Sequence, residues 1–400
     1  MLAALRSRDY RLFWAGSFVS NLGTWVQAIA LGWLVYALTG SASWLGAISF
    51  AGNVPMFFLA PLGGAIADRA SRRAIMVCTQ AVLATGALAL AALVLTGRLA
   101  MGSILAVVVM SGCANALYAP AAQAVIPSLV EPALLLEAIS LNSVQFNLAR
   151  TLGPALAGVA YGAIGPAGCF ALNALSFLAL IAVVARIRIA PGPAGAPPPV
   201  LHALREGFGY ARRDPVIGPA LLLATAMALF GFPYIILLPA LARGTLHLDA
   251  SGLAWLTAAV GCGAVAGGLV LSSAGDVERK GRVSTLGAVA FGGVLGSFAV
   301  VRGVRATAAV LFALGFVQTI SVGSLNTVIQ LAVDEAMRGR VMSLMTVILF
   351  GLSTGGSLVV GAAADRIGVP HALAAGGAVI VLAALGVLAR APALARPATG

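Results

Sequence analysis

Runs of about twenty or more apolar residues recur twelve times along this chain, and that repetition constrains its fold more than any other feature. The runs fall at approximately 11–38, 43–66, 74–96, 101–123, 137–163, 166–187, 215–242, 250–274, 281–302, 305–330, 339–364 and 369–390. Each is long enough to cross a hydrocarbon layer of about 30 Å as a helix. Only 9% of the residues are charged, against about 25% in a soluble domain, so polar groups could not cover the surface of a water-soluble fold. The loops are short and strand-like alternation is missing, which predicts helices and not a barrel. The expectation is an all-α membrane protein of twelve transmembrane helices.

A net charge of +12 invites a nucleic-acid reading, but the distribution of charge points elsewhere. With a cytoplasmic N-terminus, eighteen Lys and Arg fall on inner segments and five on outer ones. That bias is the positive-inside pattern. Both termini are therefore expected in the cytoplasm, the chain in a bacterial inner membrane, and no nucleic acid among its partners. The first run, at 28 residues, exceeds a signal-peptide core and is read as a retained span. Cys78, Cys113, Cys169 and Cys262 lie inside apolar runs without paired spacing, so they are read as free, buried, packing thiols and no metal site is expected.

The chain divides at "RIRIAPGPAGAPPPVLHALREGFGYARRDP". Its Pro/Gly-rich start reads as a linker. Val200, Leu204, Phe208 and Ala211 then recur at helical spacing, which suits a short amphipathic helix on the inner leaflet. The predicted division is a first six-helix bundle over 1–187, a cytoplasmic linker over 188–214, and a second six-helix bundle over 215–400. The halves repeat: a shift of 203 residues aligns 137–165 with 340–368 and gives eight identities in 29 positions, among them Gly153 with Gly356 and Gly165 with Gly368. Six-span halves in parallel repeat mark secondary transporters that bind substrate near the membrane midplane.

One charge lies in the middle of a span. A charge there costs about 2.5–3.5 kcal/mol on insertion scales, so Arg150 must face protein or water. At 100° per residue, Ser143, Asn147, Arg150, Pro154 and Gly158 share an arc of about 80°, while Leu141, Val144, Leu148, Leu152 and Val159 take the other side. Arg150 aligns with Ser353 under the repeat, so the charge belongs to one half only. No Asp or Glu lies deep in any span, and Glu137 is about 20 Å away along a helix. Three roles are open to Arg150: neutralising an anionic substrate, holding a carboxylate or helix carbonyl that rearranges during switching, or forming a static pair. Gly153-Pro154 in mid-span loosens the backbone in a way that neighbouring helices can compensate.

After the second run comes "GGAIADRASRRAIM". Here the sequence resembles the major facilitator superfamily, whose loop signature is G-x-x-x-D-R-x-G-R-R/K. Gly64, Asp68, Arg69, Arg72 and Arg73 match it, and Ser71 stands in place of the second glycine. The resemblance implies an inner gate at Gly64, Asp68, Arg69 and Arg73. "LARTLGPALAG" resembles the glycine-proline motif of the exporter branches, which gives Gly153 and Pro154 a gating role. "PSLVEPALLLEAISLN" and "REGFGYARRDP" look most like multidrug, macrolide and siderophore exporters of the drug:proton antiporter type. A second G-x-x-x-D-R-x-G, "GAAADRIG" at 361–368, falls at the outer end of the eleventh run. Asp365 and Arg366 are read there as an interfacial helix end.

In the superfamily the first, fourth, seventh and tenth spans line the cavity. The resemblance thus implies substrate contacts at Asn21 and Trp25, at Asn115 and Tyr118, and at Gln318 and Asn326, with Asn147 and Arg150 added from the fifth span. Thr225, Phe230, Phe232 and Tyr234 are the seventh span's contribution. The implied activity is export of hydrophobic or amphiphilic small molecules, drug- or siderophore-like, by alternating access. Proton coupling rests on the resemblance alone, with Asp9 and Asp68 as the remaining carboxylates. An uptake carrier for a small organic anion bound by Arg150 is the alternative, and a non-transporting lipid-binding or assembly factor a third reading. Neither a nucleotide loop nor a catalytic constellation is present, so an enzyme is not expected and no cofactor is implied. The expected partners are a small-molecule substrate, membrane lipids and possible coupling protons, acting on a monomer.

Overall fold

The computed structural model describes residues 3–69, 71–189, 200–273 and 280–390. These are helical nearly throughout. The helices are α1 (Arg8–Thr39), α2 (Ala42–Arg69), α3 (Arg72–Leu95), α4 (Met101–Leu129), α5 (Leu135–Arg186), α6 (Val200–Arg213) and α7 (Ile217–Ala226). They continue as α8 (Tyr234–Ala240), α9 (Ala250–Ser273), α10 (Lys280–Gly296), α11 (Val304–Ala332), α12 (Glu335–Thr346), α13 (Ser353–Ile367) and α14 (Val369–Arg390). Among the described residues ten helical stretches are long and apolar enough to cross a membrane. The predicted second run lies in α2, outside those ten stretches, and the fifth lies in the first part of α5, with only 156–163 inside one of them.

The expected boundary between the fifth and sixth runs is real, though no loop marks it. α5 continues for 52 residues and breaks only at Gly165, whose φ of 66° is open to glycine and strained for other residues. Its repeat partner Gly368 has φ 82° and separates α13 from α14. The same glycine thus turns the chain at the same place in each half.

The chain forms two compact units. One contains 1–35 and 51–197, and the other contains 36–50 and 198–400. The change of unit at Phe50 and Ala51 falls inside the unbroken helix α2.

In the first unit α1 lies alongside the start of α5, in register. The Tyr10 hydroxyl donates to the Ala138 carbonyl at 2.7 Å and Trp14 Nε1 to the Leu141 carbonyl at 2.9 Å, an offset of 127–128 residues. Trp25 continues that offset by packing on Gly153. A buried cluster of Tyr10, Phe13, Met76, Val125, Ala138 and Val184 closes one end of this unit.

In the second unit the equivalent crossing is Gly356 of α13 against the Leu229 backbone. Leu229 lies in a π-helical segment, Met227–Gly231, and a second such segment, Val347–Leu352, joins α12 to α13. Single π turns of this kind insert a residue and re-aim the side chains beyond them.

The linker helix α6 packs on α12. Among its described residues the buried ones are Gly207, whose Cα abuts the Arg340 backbone, and Ala211, 3% exposed, while Phe208 is 59% exposed. The helix rests on α12 through its small residues and leaves Phe208 exposed beside them. Glu206 pairs with Arg340 at 3.0 Å, and the Tyr210 hydroxyl donates to Asp334 Oδ2 at 2.9 Å.

Candidate functional site

The polar stripe of α5 is confined to one unit and can be built from the register of α1 against it. Tyr10, Trp14 and Trp25 meet residues 127–128 positions further on. That offset sets Arg150 level with Leu22, one residue from Asn21 and less than a turn from Trp25. Asn21, Trp25 and Arg150 therefore share one depth.

Around the α5 axis, Gln145, Ala149, Gly153 and Ala157 are buried. Ser143, Asn147 and Arg150 are exposed on one side of that buried face, and Val144, Leu148 and Leu152 are exposed further round. A helix in a membrane can offer lipid only the apolar one of these two exposed faces. The Ser143–Asn147–Arg150 face is then the one turned to protein or water. Asn147 Nδ2 donates to the Ser143 carbonyl at 2.8 Å, so its amide is partly spent within its own helix. Gly153 is placed where a methyl group would run into Trp25 Cβ, which makes the glycine the seat of the indole. The Pro154 side chain lies outside the described residues.

On α4, Asn115 is exposed and Tyr118 half-buried in the same unit. In the other unit, Gln318 and Asn326 sit on α11, both half-buried. The Tyr234 hydroxyl donates to Gln318 Oε1 at 2.9 Å, and Gln330 Nε2 donates to Asn326 Oδ1 at 2.8 Å. Tyr234 is fully buried, with its ring edge-on to Phe291. This corrects the expectation that it lines a cavity: it positions Gln318 from behind. A cavity of ≈ 560 Å³ opens beside α6, lined by Glu206, Gly209, Tyr210, Arg213, Asp214 and Pro215. It belongs to the linker helix and contains none of the expected substrate contacts.

The side chains of Gly64, Asp68 and Arg69 lie outside the described residues. Arg73 and its neighbours are described. Arg73 donates to the carbonyl of Ile187, the C-cap of α5, where a cation complements the helix dipole. Asp9 Oδ2 accepts the N–H of that same peptide group, that of Arg188, at 3.0 Å. Arg72 Nη1 donates to the Ala124 carbonyl at 2.9 Å. Ser71 accepts from the Ala74 N–H as the N-cap of α3, which gives the serine in the signature's glycine position a local purpose.

Two further expectations, on the cysteines and on Asp365, meet the structure here. The four cysteines are free, but Cys78 and Cys262 are exposed, not buried, on helix faces suited to lipid. Among the described residues no cluster of His, Cys, Asp and Glu could hold a metal. Asp365 is more than an interfacial helix end: it accepts three hydrogen bonds from Ser41, Ala42 and Ser43.

The profile described as transmembrane secretion effector matches residues 1–396. Enterobactin exporter EntS of Citrobacter koseri is 27% identical over 346 residues, covering 84% of this chain and 80% of that protein. Staphyloferrin A transporter of Staphylococcus aureus is 30% identical over 151 residues, 37% of this chain and 38% of that protein. Among solved structures, a bacterial homolog of the human lysosomal transporter Spinster, in an inward-facing and occupied conformation, superposes with a TM-score of 0.77 at 14% identity. It covers 98% of each chain.

Proposed function

The chain belongs to the transmembrane secretion effector family, as a multi-pass membrane transporter and not an enzyme, and on that premise we propose that it exports a small molecule across the bacterial inner membrane. The proposed substrates are hydrophobic or amphiphilic, drug- or siderophore-like. The proposed architecture is twelve transmembrane helices in two six-helix bundles, 1–187 and 215–400, joined by the linker 188–214 and working by alternating access as a monomer with both termini cytoplasmic. Asn21, Trp25, Asn115, Tyr118, Asn147, Arg150, Gln318 and Asn326 are the proposed substrate contacts, and Gly64, Asp68, Arg69, Arg73, Gly153 and Pro154 the proposed gating residues.

One observation carries this reading. Arg150 is exposed on a polar face of α5 that cannot meet lipid, level with Asn21 and Trp25. A guanidinium at the same depth as an indole and an amide suits a ligand with an anionic or carbonyl oxygen next to an apolar body. Enterobactin and staphyloferrin A name the substrates of the two relatives, which supports siderophore-like molecules as the first panel to try.

Proton-coupled antiport is the proposed energy source. Asp9 accepts the Arg188 peptide N–H, and its proposed part is to fix the end of α5. The same Arg150 supports a second reading, an uptake carrier for a small organic anion.

Both readings are tested by following a chemically diverse panel in cells expressing wild type or Arg150→Ala at matched membrane levels. Export predicts lower accumulation with wild type and loss of that effect with Arg150→Ala, strongest for anions. Faster entry of an anion with wild type would replace export by uptake. Equal export by both proteins would remove Arg150 from the transport cycle.

A further inference from the structure

The first turn of α2 is fastened to α13 by a clasp that the transport site does not use. Asp365 Oδ2 accepts from Ser41 Oγ at 2.6 Å and from the Ser43 N–H at 3.0 Å, and Oδ1 accepts from the Ala42 N–H at 2.6 Å. One carboxylate thereby satisfies the open N–H groups of a helix it does not belong to. Below it the helices touch through small residues. A methyl on Gly361 would come within 2.8 Å of the Ala42 carbonyl oxygen, and one on Gly46 would strike the Ser357 carbonyl. Ser357, Gly361 and Asp365 are spaced by four, so they form one ridge of α13. On the other side of the turn, the Tyr36 hydroxyl lies against Gly244. The segment Tyr36–Phe50 is thus attached at three levels within its compact unit.

The same helix belongs to the other unit from Ala51 onward. α2 is one helix shared between two compact units, so a transport cycle that changes the relation of the units must be taken up at one of its attachments. The attachment at Asp365 is built to release at low cost. Ser41 Oγ also accepts from the Trp44 N–H at 3.4 Å, and Thr39 Oγ1 accepts from the Ser41 N–H at 3.2 Å. The turn therefore keeps a cap of its own when the carboxylate leaves, and Asp365, at a helix end that the charge distribution puts outside, returns to water.

We infer that Asp365 is a reversible latch on the outer end of α2, closed in this structure and opened once in each transport cycle. This rests on the transporter reading above. It gives the second G-x-x-x-D-R-x-G motif a use on the side of the membrane opposite to the first.

Hydrogen–deuterium exchange of the full chain in nanodiscs tests the latch without needing a substrate. Asp365→Ala should speed exchange in the peptide covering 41–46 by about tenfold, with Ser41→Ala giving a smaller rise and Asp365→Glu restoring part of the protection. Peptides of 71–129 should exchange as in wild type, which separates release of the latch from general unfolding. Unchanged exchange at 41–46 in both Asp365→Ala and Ser41→Ala overturns the latch. Released exchange with an unaltered export rate would overturn its part in the cycle. A wild type that exports nothing in the panel would defeat the transporter reading, and the exchange experiment would still decide the clasp.

Discussion

Trp25 packs on the Cα of Gly153 so closely that no side chain of any size fits between them. The contact fixes the depth of α1 against α5 at the level of Arg150. Gly153→Ala should already push the two helices apart, because the obstructing atom is a Cβ and not the end of a flexible chain. A loss of about 1–3 kcal/mol is expected for such overpacking, with Gly153→Val at the upper end. Thermal unfolding in detergent measures it, and an alanine variant as stable as wild type would show that α1 is free to shift.

If the guanidinium of Arg150 grips an oxyanion through two parallel N–H groups, lysine cannot replace it fully. Arg150→Lys should keep part of the export of anionic compounds and Arg150→Gln should lose about tenfold or more. Equal export rates for lysine and glutamine would mean that the charge has no part in binding.

Asp9 and Arg73 hold the two poles of a single peptide group, the Arg188 N–H and the Ile187 carbonyl, at the end of α5. Removing either charge should loosen the exit of the chain into the linker. Asp9→Asn and Arg73→Gln should each raise the rate of protease cleavage between 188 and 199 several-fold, with little change in cleavage elsewhere. Export should persist in Asp9→Asn, and its abolition at normal protein levels would restore Asp9 as the coupled carboxylate.

Asp249 caps α9: its carboxylate accepts from the Ser251 hydroxyl at 2.6 Å and the Gly252 N–H at 2.9 Å. The serine hydroxyl, and then the glycine amide, hold its pKa below the ordinary aspartate value. A depressed carboxylate stabilises the fold above its unfolded pKa, about 4, and that contribution fades as pH falls through the lower folded value. Protection of the amides at 250–254, measured against their intrinsic exchange rates, should therefore fall in acid below about pH 4, and Asp249→Asn should lose much of this pH dependence. An identical acid response in the asparagine variant would assign it to another group.

Much of the fold could be read from apolar run length, because lipid leaves the backbone few alternatives to a helix. The family and its transporter character were likewise readable, from the signature after the second run and from the exporter-like segments. The repeat was legible as well: the aligned Gly165 and Gly368 both take positive φ in the structure. What sequence reasoning missed depends on partners far along the chain. Asp365 reads locally as the end of a helix, and nothing near it shows that its partners are 322–324 residues away. The register of α1 on α5 is likewise a tertiary fact, although Tyr10, Trp14 and Trp25 are its bearers. The helical spacing of Val200, Leu204, Phe208 and Ala211 included one residue through which α6 docks, Ala211, but not Gly207, which is small enough to let two backbones meet. Tyr234 looked like a cavity aromatic because a hydroxyl and a ring suit a ligand, but they suit Gln318 and Phe291 equally well.

The placement of Tyr36–Phe50 with the second unit bears on how this protein can be taken apart. A polypeptide ending in the linker would carry, on its own first hairpin, a strap that belongs with the other polypeptide. Since Asp9 and Arg73 secure the end of α5 from within the first fragment, a cut between 190 and 199 leaves that end held. Fragments 1–195 and 196–400, made separately in one cell, should then find each other and co-purify. Asp365→Ala should weaken their recovery as a pair, which turns a helix cap into the address by which two pieces of one transporter recognise one another.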